Sequence, residues 1–122
     1  MKSLKVLVVD NDPSTCALLQ TIFEMENYQT ASVNEIEHKD VIALLEREQP
    51  DLLILDFHLG GLKTLNCLNS IRNHPDWQAI PILMISAEDR SQECLEAGAD
   101  DFVLKPFNWQ TIIAATKDLL KQ

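Results

Sequence analysis

The chain has 122 residues, enough for one folded domain and too few for two, and its 46% hydrophobic and 24% charged fractions are ordinary for a globular protein. Nineteen acidic against ten basic residues give a formal charge of −9. No basic cluster of the kind that tracks a phosphate backbone accompanies them, which argues against direct binding of nucleic acid or an anionic membrane.

No apolar run approaches the ~20 residues that cross a bilayer. The opening MKSLKVLVVDND meets acid after a short apolar run and carries no small-residue cleavage site, so it reads as a strand and not a signal peptide. Residues 4–9 are β-branched and apolar except for Lys5, and Asp10-Asn11-Asp12-Pro13 stops them abruptly. Asp12 suits a helix N-cap and Pro13 the first helical position, so a helix is expected to about Glu26, with Leu18, Leu19, Ile22 and Phe23 on one face. Residues 28–33 form a weak short strand, and 40–48 a helix burying Val41, Leu44 and Leu45 before Pro50. Residues 51–57 hold four consecutive apolar positions, then Asp56, then Gly60-Gly61. A helix over 63–73 turns Leu65, Leu68 and Ile71 inward and is bounded by Pro75.

Residues 80–85 form another apolar run, closed by Ser86. Residues 88–97 read as a helix stopped by Gly98, and 102–104 as a short strand ending at Lys105-Pro106. A last helix from about Asn108 shows Trp109, Ile112, Ile113, Thr116 and Leu119 or Leu120 at spacings of three and four. Five strands alternating with five helices imply an α/β, doubly wound parallel sheet covered on both faces, with right-handed crossovers and the flavodoxin-like order 2-1-3-4-5. The near-continuous apolar strands fit that double coverage. The spread-out Cys16, Cys67 and Cys94 match neither a disulfide framework nor a zinc site, and fit small buried residues in a reducing cytoplasm.

Polar residues interrupt the apolar runs at the strand ends, where open parallel sheets bind ligands. Asp10 and Asp12 follow the first strand, Asp56 ends the third, Ser86 follows the fourth and Lys105 the fifth. Asp12 alone could be a helix cap, Ser86 the start of the next helix, and Lys105 a solvated surface lysine. Asp10 and Asp56 are harder to explain structurally, because a lone carboxylate ending a buried strand is costly to desolvate. Grouped carboxylates repel unless a cation compensates, and a hard divalent ion such as Mg²⁺ is the natural remedy. A carboxylate can act as nucleophile toward phosphorus, and phosphoryl transfer needs little beyond positioning and charge neutralisation. His38, His58 and His74 are scattered and form no nucleophile system.

The segments VLVVDNDPST, PDLLILDFHLGGL, ILMISAED and GADDFVLKPF resemble, in order and spacing, the response-regulator receiver domains of two-component signalling, the CheY-like superfamily. The resemblance spans nearly the whole chain, so residues 1–122 read as one receiver domain. It implies that Asp56 accepts the phosphoryl group and that Asp10, Asn11, Asp56 and the backbone carbonyl of His58 hold Mg²⁺, with Asp12 assisting if its loop turns inward. Ser86 and Lys105 would contact the phosphoryl oxygens, Ser86 and Phe102 would form the switch pair, and Lys105-Pro106 would be cis. The face formed by the fourth helix, fifth strand and fifth helix would change partner preference on phosphorylation. The implied partners are a sensor histidine kinase or phosphotransfer protein and a downstream effector domain or protein, with a homodimer through the switch face compatible. Such a domain is a signalling module, not an enzyme on other substrates.

Three departures from the family pattern stand out. Asn11 replaces the second acid of the usual pair, Leu59-Gly60-Gly61 replaces Met-Pro-Gly, and His58 and Glu88 occupy the two positions that tune dephosphorylation. Asn11 leaves open a pseudo-receiver that binds partners without phosphate. Asp10-Asn11-Asp12 also resembles the Asp-x-Asp motif of haloacid-dehalogenase-type phosphatases, in which Asp10 and not Asp56 would be the nucleophile.

Overall fold

Val, Ile and Leu dominate the runs that become the central strands of the computed structural model, which describes residues 3–34, 40–59 and 62–121. In chain order the elements are β1 (Lys5–Val9), α1 (Pro13–Met25), β2 (Gln29–Val33), α2 (Val41–Glu48), β3 (Leu52–Asp56), α3 (Leu62–Arg72), β4 (Ile82–Ser86), α4 (Ser91–Glu96), β5 (Asp101–Leu104) and α5 (Trp109–Leu119). The strands pair in parallel in the order β2-β1-β3-β4-β5, the doubly wound arrangement expected from the alternating pattern. Every residue of β3 and β4 is buried, as strands covered on both faces must be.

The sheet separates two apolar cores. Leu7, Val9, Leu53, Leu55, Ile82 and Met84 face one side, where α2, α3 and α4 contribute Leu45, Leu68, Ile71 and Cys94. Val6, Val8, Leu52, Ile54, Leu83 and Ile85 face the other, against Leu19 and Phe23 of α1 and Ile112 and Ile113 of α5. The three cysteines are buried free thiols.

Several inward positions differ from expectation. Leu18 is half exposed, and Cys16 fills the inward position instead, one turn before Leu19 and two before Phe23. Trp109 is 52% exposed because it opens α5, one turn ahead of the first buried pair. On α3, Thr64 and Cys67 are buried while Leu65 is only partly so. The fourth helix begins at Ser91 rather than Glu88. Asp89, not Ser86, accepts from the Ser91 N–H at 3.1 Å, and Ser86 closes a tight turn onto the Glu88 N–H. His38, Gly60 and Gly61 lie outside the described residues.

At the rim where the strands begin, Arg72 ends α3 by gathering three segments. Its guanidinium donates to the carbonyls of Gly98, Gln78 and Ile80 and to the Asp100 carboxylate, all within 2.9 Å. Asp100 also accepts from the Ile82 N–H at 2.8 Å. Gly98 has φ +116°, and a Cβ there would stand 2.8 Å from Arg72 Cγ, so glycine is required by both backbone and contact.

Candidate functional site

Strands β1, β3 and β4 end side by side at the opposite rim, where the strand order reverses. Asp10 follows β1, is fully buried, and accepts from the Asp12 N–H at 2.8 Å through Oδ1. Asp56, at the last position of β3, is 2% exposed and accepts from the His58 N–H at 3.2 Å. Lys105 follows β5, whose register its own N–H extends by donating to the Ser86 carbonyl at 2.7 Å. Its side chain reaches across the rim to put Nζ 2.9 Å from Asp10 Oδ2 and 3.9 Å from Asp56 Oδ2. Burial pushes the Asp56 carboxyl above its ordinary range and the Asp10 charge adds to the rise, while the His58 N–H and the Lys105 charge oppose it.

The structure brings Asp10, Asp56 and Lys105 together, with Ser86 nearby. Ser86 is fully buried, and its hydroxyl accepts from the Glu88 N–H at 3.1 Å and is hydrogen-bonded to His58 Nε2 at 3.1 Å. Glu88 Oε1 lies 4.0 Å from that same nitrogen. Phe102 is half-buried and packs against the core on the α3 side. The Lys105-Pro106 bond is cis, as the resemblance implies.

Asp12 sits apart from the cluster as the exposed N-cap of α1. Its carboxylate accepts from the Ser14 N–H at 2.9 Å and the Thr15 hydroxyl at 3.2 Å, and the Ser14 contact leads in holding its carboxyl below the usual range. Asn11 is exposed on the loop between Asp10 and this cap. Two carboxylates against one ammonium leave the rim with excess negative charge. The donors that the structure brings together here, the carboxylates of Asp10 and Asp56, are hard oxygens, the kind that suits Mg²⁺ rather than a thiophilic metal.

Two residues of this rim escape a reading of the sequence. Thr64 is buried in α3, and its hydroxyl donates to the carbonyls of Phe57 at 3.0 Å and Asp56 at 3.3 Å, tying the helix to the end of β3. A lone hydroxyl one position before Leu65, the residue that helical spacing turns inward, is its only signal in the sequence. Arg90 lies with its guanidinium 5.3 Å from the centre of the Phe57 ring, which itself meets the His58 ring edge-on at 5.7 Å. Nothing in local spacing points from Arg90 to a phenylalanine on another loop.

A family model for the response regulator receiver domain matches residues 6–117. The phosphate regulon transcriptional regulatory protein PhoB of Rhizobium meliloti (strain 1021) is 30% identical over 121 residues, covering 97% of this chain and 52% of its own. The chain thus spans about half the length of that relative. A response regulator from Chloroflexus aurantiacus J-10-fl superposes with a TM-score of 0.88 at 27% identity, covering 99% of this chain and 100% of its own. The receiver domain of a sensor histidine kinase from Pseudomonas aeruginosa PAO1, solved with a magnesium ion coordinated in its active site cleft, gives 0.83 at 20% identity over 99% of this chain and 100% of its own, a likeness of fold.

Proposed function

This chain belongs to the response-regulator receiver family of two-component signalling, and on that premise we propose that it takes a phosphoryl group onto Asp56 from a phosphohistidine donor. The observation that carries the reading is the meeting of Asp10, Asp56 and Lys105 at the end of the sheet, with Lys105 Nζ within 4 Å of both carboxylates. An Asp56 oxygen forms the new bond to phosphorus as the bond from phosphorus to the donor's imidazole nitrogen breaks, and the electron pair leaves with that nitrogen. The burial that raises the Asp56 carboxyl also strips it of competing water, while Lys105 supplies a positive charge for the equatorial oxygens.

Asp10, Asn11, Asp56 and the His58 carbonyl would hold Mg²⁺, which when bound supplies the charge neutralisation that transfer between anionic groups requires. Ser86 would turn its hydroxyl toward the phosphoryl oxygens, with Phe102 filling the space it leaves. The readout would be the face of α4, β5 and α5, where Leu95, Leu104 and Trp109 stand exposed, and an effector domain or a second copy would be its partner. Residues 1–122 would act as one cytoplasmic receiver domain that assists only its own phosphorylation and dephosphorylation. Among the described residues, no helix is long and apolar enough to cross a membrane.

The phosphatase reading finds no support. Asp10 has one carboxylate oxygen on the Asp12 N–H and the other on Lys105, leaving it poorly placed to attack. Intact-mass spectrometry after incubation with acetyl phosphate and Mg²⁺ tests the proposal. A labile adduct is expected on the wild type and on Asp12→Ala, and none on Asp56→Asn. A folded wild type that never acquires the adduct, even at high Mg²⁺, would instead make the chain a phosphate-independent interaction module.

A further inference from the structure

The Ser86 hydroxyl already has two partners other than Asp56. It accepts from the Glu88 N–H and shares its second contact with His58 Nε2, each at 3.1 Å. His58 is carried by the loop after β3 and Ser86 by the end of β4, so this bond ties two loops that border the acidic rim. A second tie runs beside it. Arg90, ahead of α4, lies over the ring of Phe57, the residue before His58, and is anchored by Glu88 at 3.5 Å and Glu93 at 2.8 Å. Phe57 in turn packs edge-on against the His58 ring. His58, Ser86, Glu88, Arg90 and Phe57 therefore close a ring of contacts joining the β3–α3 loop to the β4–α4 loop.

We propose that His58 is a positioning residue that latches the Ser86 hydroxyl away from Asp56, with the Arg90–Phe57 contact holding the two loops in the latched register. The inference rests on the receiver reading above and deepens it. With Nε2 accepting, the Ser86 proton is committed to His58, and for Ser86 to donate it to a phosphoryl group on Asp56 that bond must break, so the latch opposes the phosphorylated arrangement and sets how readily the site is loaded. The latch is the tautomer in which Nε2 accepts from the hydroxyl; with Nε2 as donor the Ser86 proton would stay free for the phosphoryl group.

The test is the rate of acetyl phosphate adduct formation, followed by intact mass in saturating Mg²⁺, for wild type, His58→Phe, Arg90→Gln, Ser86→Ala and the double variant His58→Phe/Ser86→Ala. Phenylalanine keeps a ring against Phe57 and deletes the bond to Ser86. His58→Phe is expected to load roughly fivefold faster, the worth of one net hydrogen bond. Arg90→Gln should load faster by a smaller factor. In the Ser86→Ala background the His58 substitution should have no effect, since there is no hydroxyl to release. An equal acceleration in both backgrounds would show a steric or electrostatic effect of His58 on Asp56 itself and overturn the latch. So would an unchanged or slower rate in His58→Phe, with Arg90→Gln, altered at a half-exposed side chain, guarding against a folding defect. Absence of any adduct on the wild type would overturn the receiver reading and the latch together, whereas adduct formation without the Ser86-dependent coupling overturns the latch alone.

Discussion

Removing the charge of Lys105 while keeping most of its stem, as Lys105→Met does, should destabilise the fold in a way that depends on pH. Nζ is 2.9 Å from Asp10 Oδ2 and 3.9 Å from Asp56 Oδ2, so the two oxygens are separated by no more than those distances laid end to end. At about 7 Å and an effective dielectric of ~20, two negative charges repel by roughly 2 kcal/mol. Stripping the partner from a buried ion typically costs about 3–5 kcal/mol. Lys105 keeps 20% of its side chain in water, which places the loss at the lower end, about 3 kcal/mol near pH 7.5. For a domain of this size that corresponds to a fall in Tm of about 10 °C.

Asp56 already titrates above its ordinary range through burial and the Asp10 charge, so its contribution to stability is present below the unfolded carboxyl value and lost as pH rises through the folded one. Without Lys105 that folded value climbs further, and the deficit of the variant therefore shrinks as pH is lowered toward 5. Urea melts of both proteins at pH 5 and 7.5 measure it. A deficit under about 1 kcal/mol at pH 7.5, or one of equal size at both pH values, would refute the electrostatic account, since the buried-pair cost should dominate and should titrate.

Asn11→Asp adds a carboxylate beside the proposed metal donors and should tighten Mg²⁺ binding by roughly tenfold, about 1.4 kcal/mol, read by isothermal titration calorimetry; without Mg²⁺ the added acid should lower Tm. Asp12→Ala removes the N-cap of α1, so it should lower Tm while leaving Mg²⁺ affinity unchanged; a large loss of affinity would mean that Asp12 turns inward when metal binds. Arg72→Ala strips the donor from three carbonyls and one carboxylate and should cost about 3 kcal/mol in urea melts, with the acetyl phosphate loading rate of the remaining folded protein unaltered.

Much of this was legible because the fold is written in short-range pattern. Continuous apolar runs such as residues 52–55 need both faces covered, and an acid directly after such a run has few structural excuses, so Asp10 and Asp56 stand out in the sequence, whereas Asp12, Ser86 and Lys105, which follow strands in the same way, each also had a plain structural reading. The failures share a cause. Leu18 and Trp109 satisfy helical spacing yet lie exposed, since periodicity says which residues share a face but not how far the neighbouring sheet extends along it. The start of α4 was misplaced because Ser86 and Asp89 are both good turn-formers, and only the tertiary path decides that Ser86 closes a turn while Asp89 leads the helix. The His58–Ser86 and Arg90–Phe57 contacts join side chains 28 and 33 positions apart on separate loops, a relation that no local pattern encodes.

The sheet is also a partition with evolutionary consequences. Alternate residues of one strand belong to different interiors: Val6 and Val8 to the compartment under α1 and α5, Leu7 and Val9 to that under α2, α3 and α4. The two interiors are packed by separate sets of side chains, so substitutions that lie well apart on opposite faces should combine in stability nearly as independent increments. A lineage can then drift in the packing beneath one set of helices while the other stays fixed, and the two halves of the molecule can diversify on separate clocks without renegotiating the acids at their common rim.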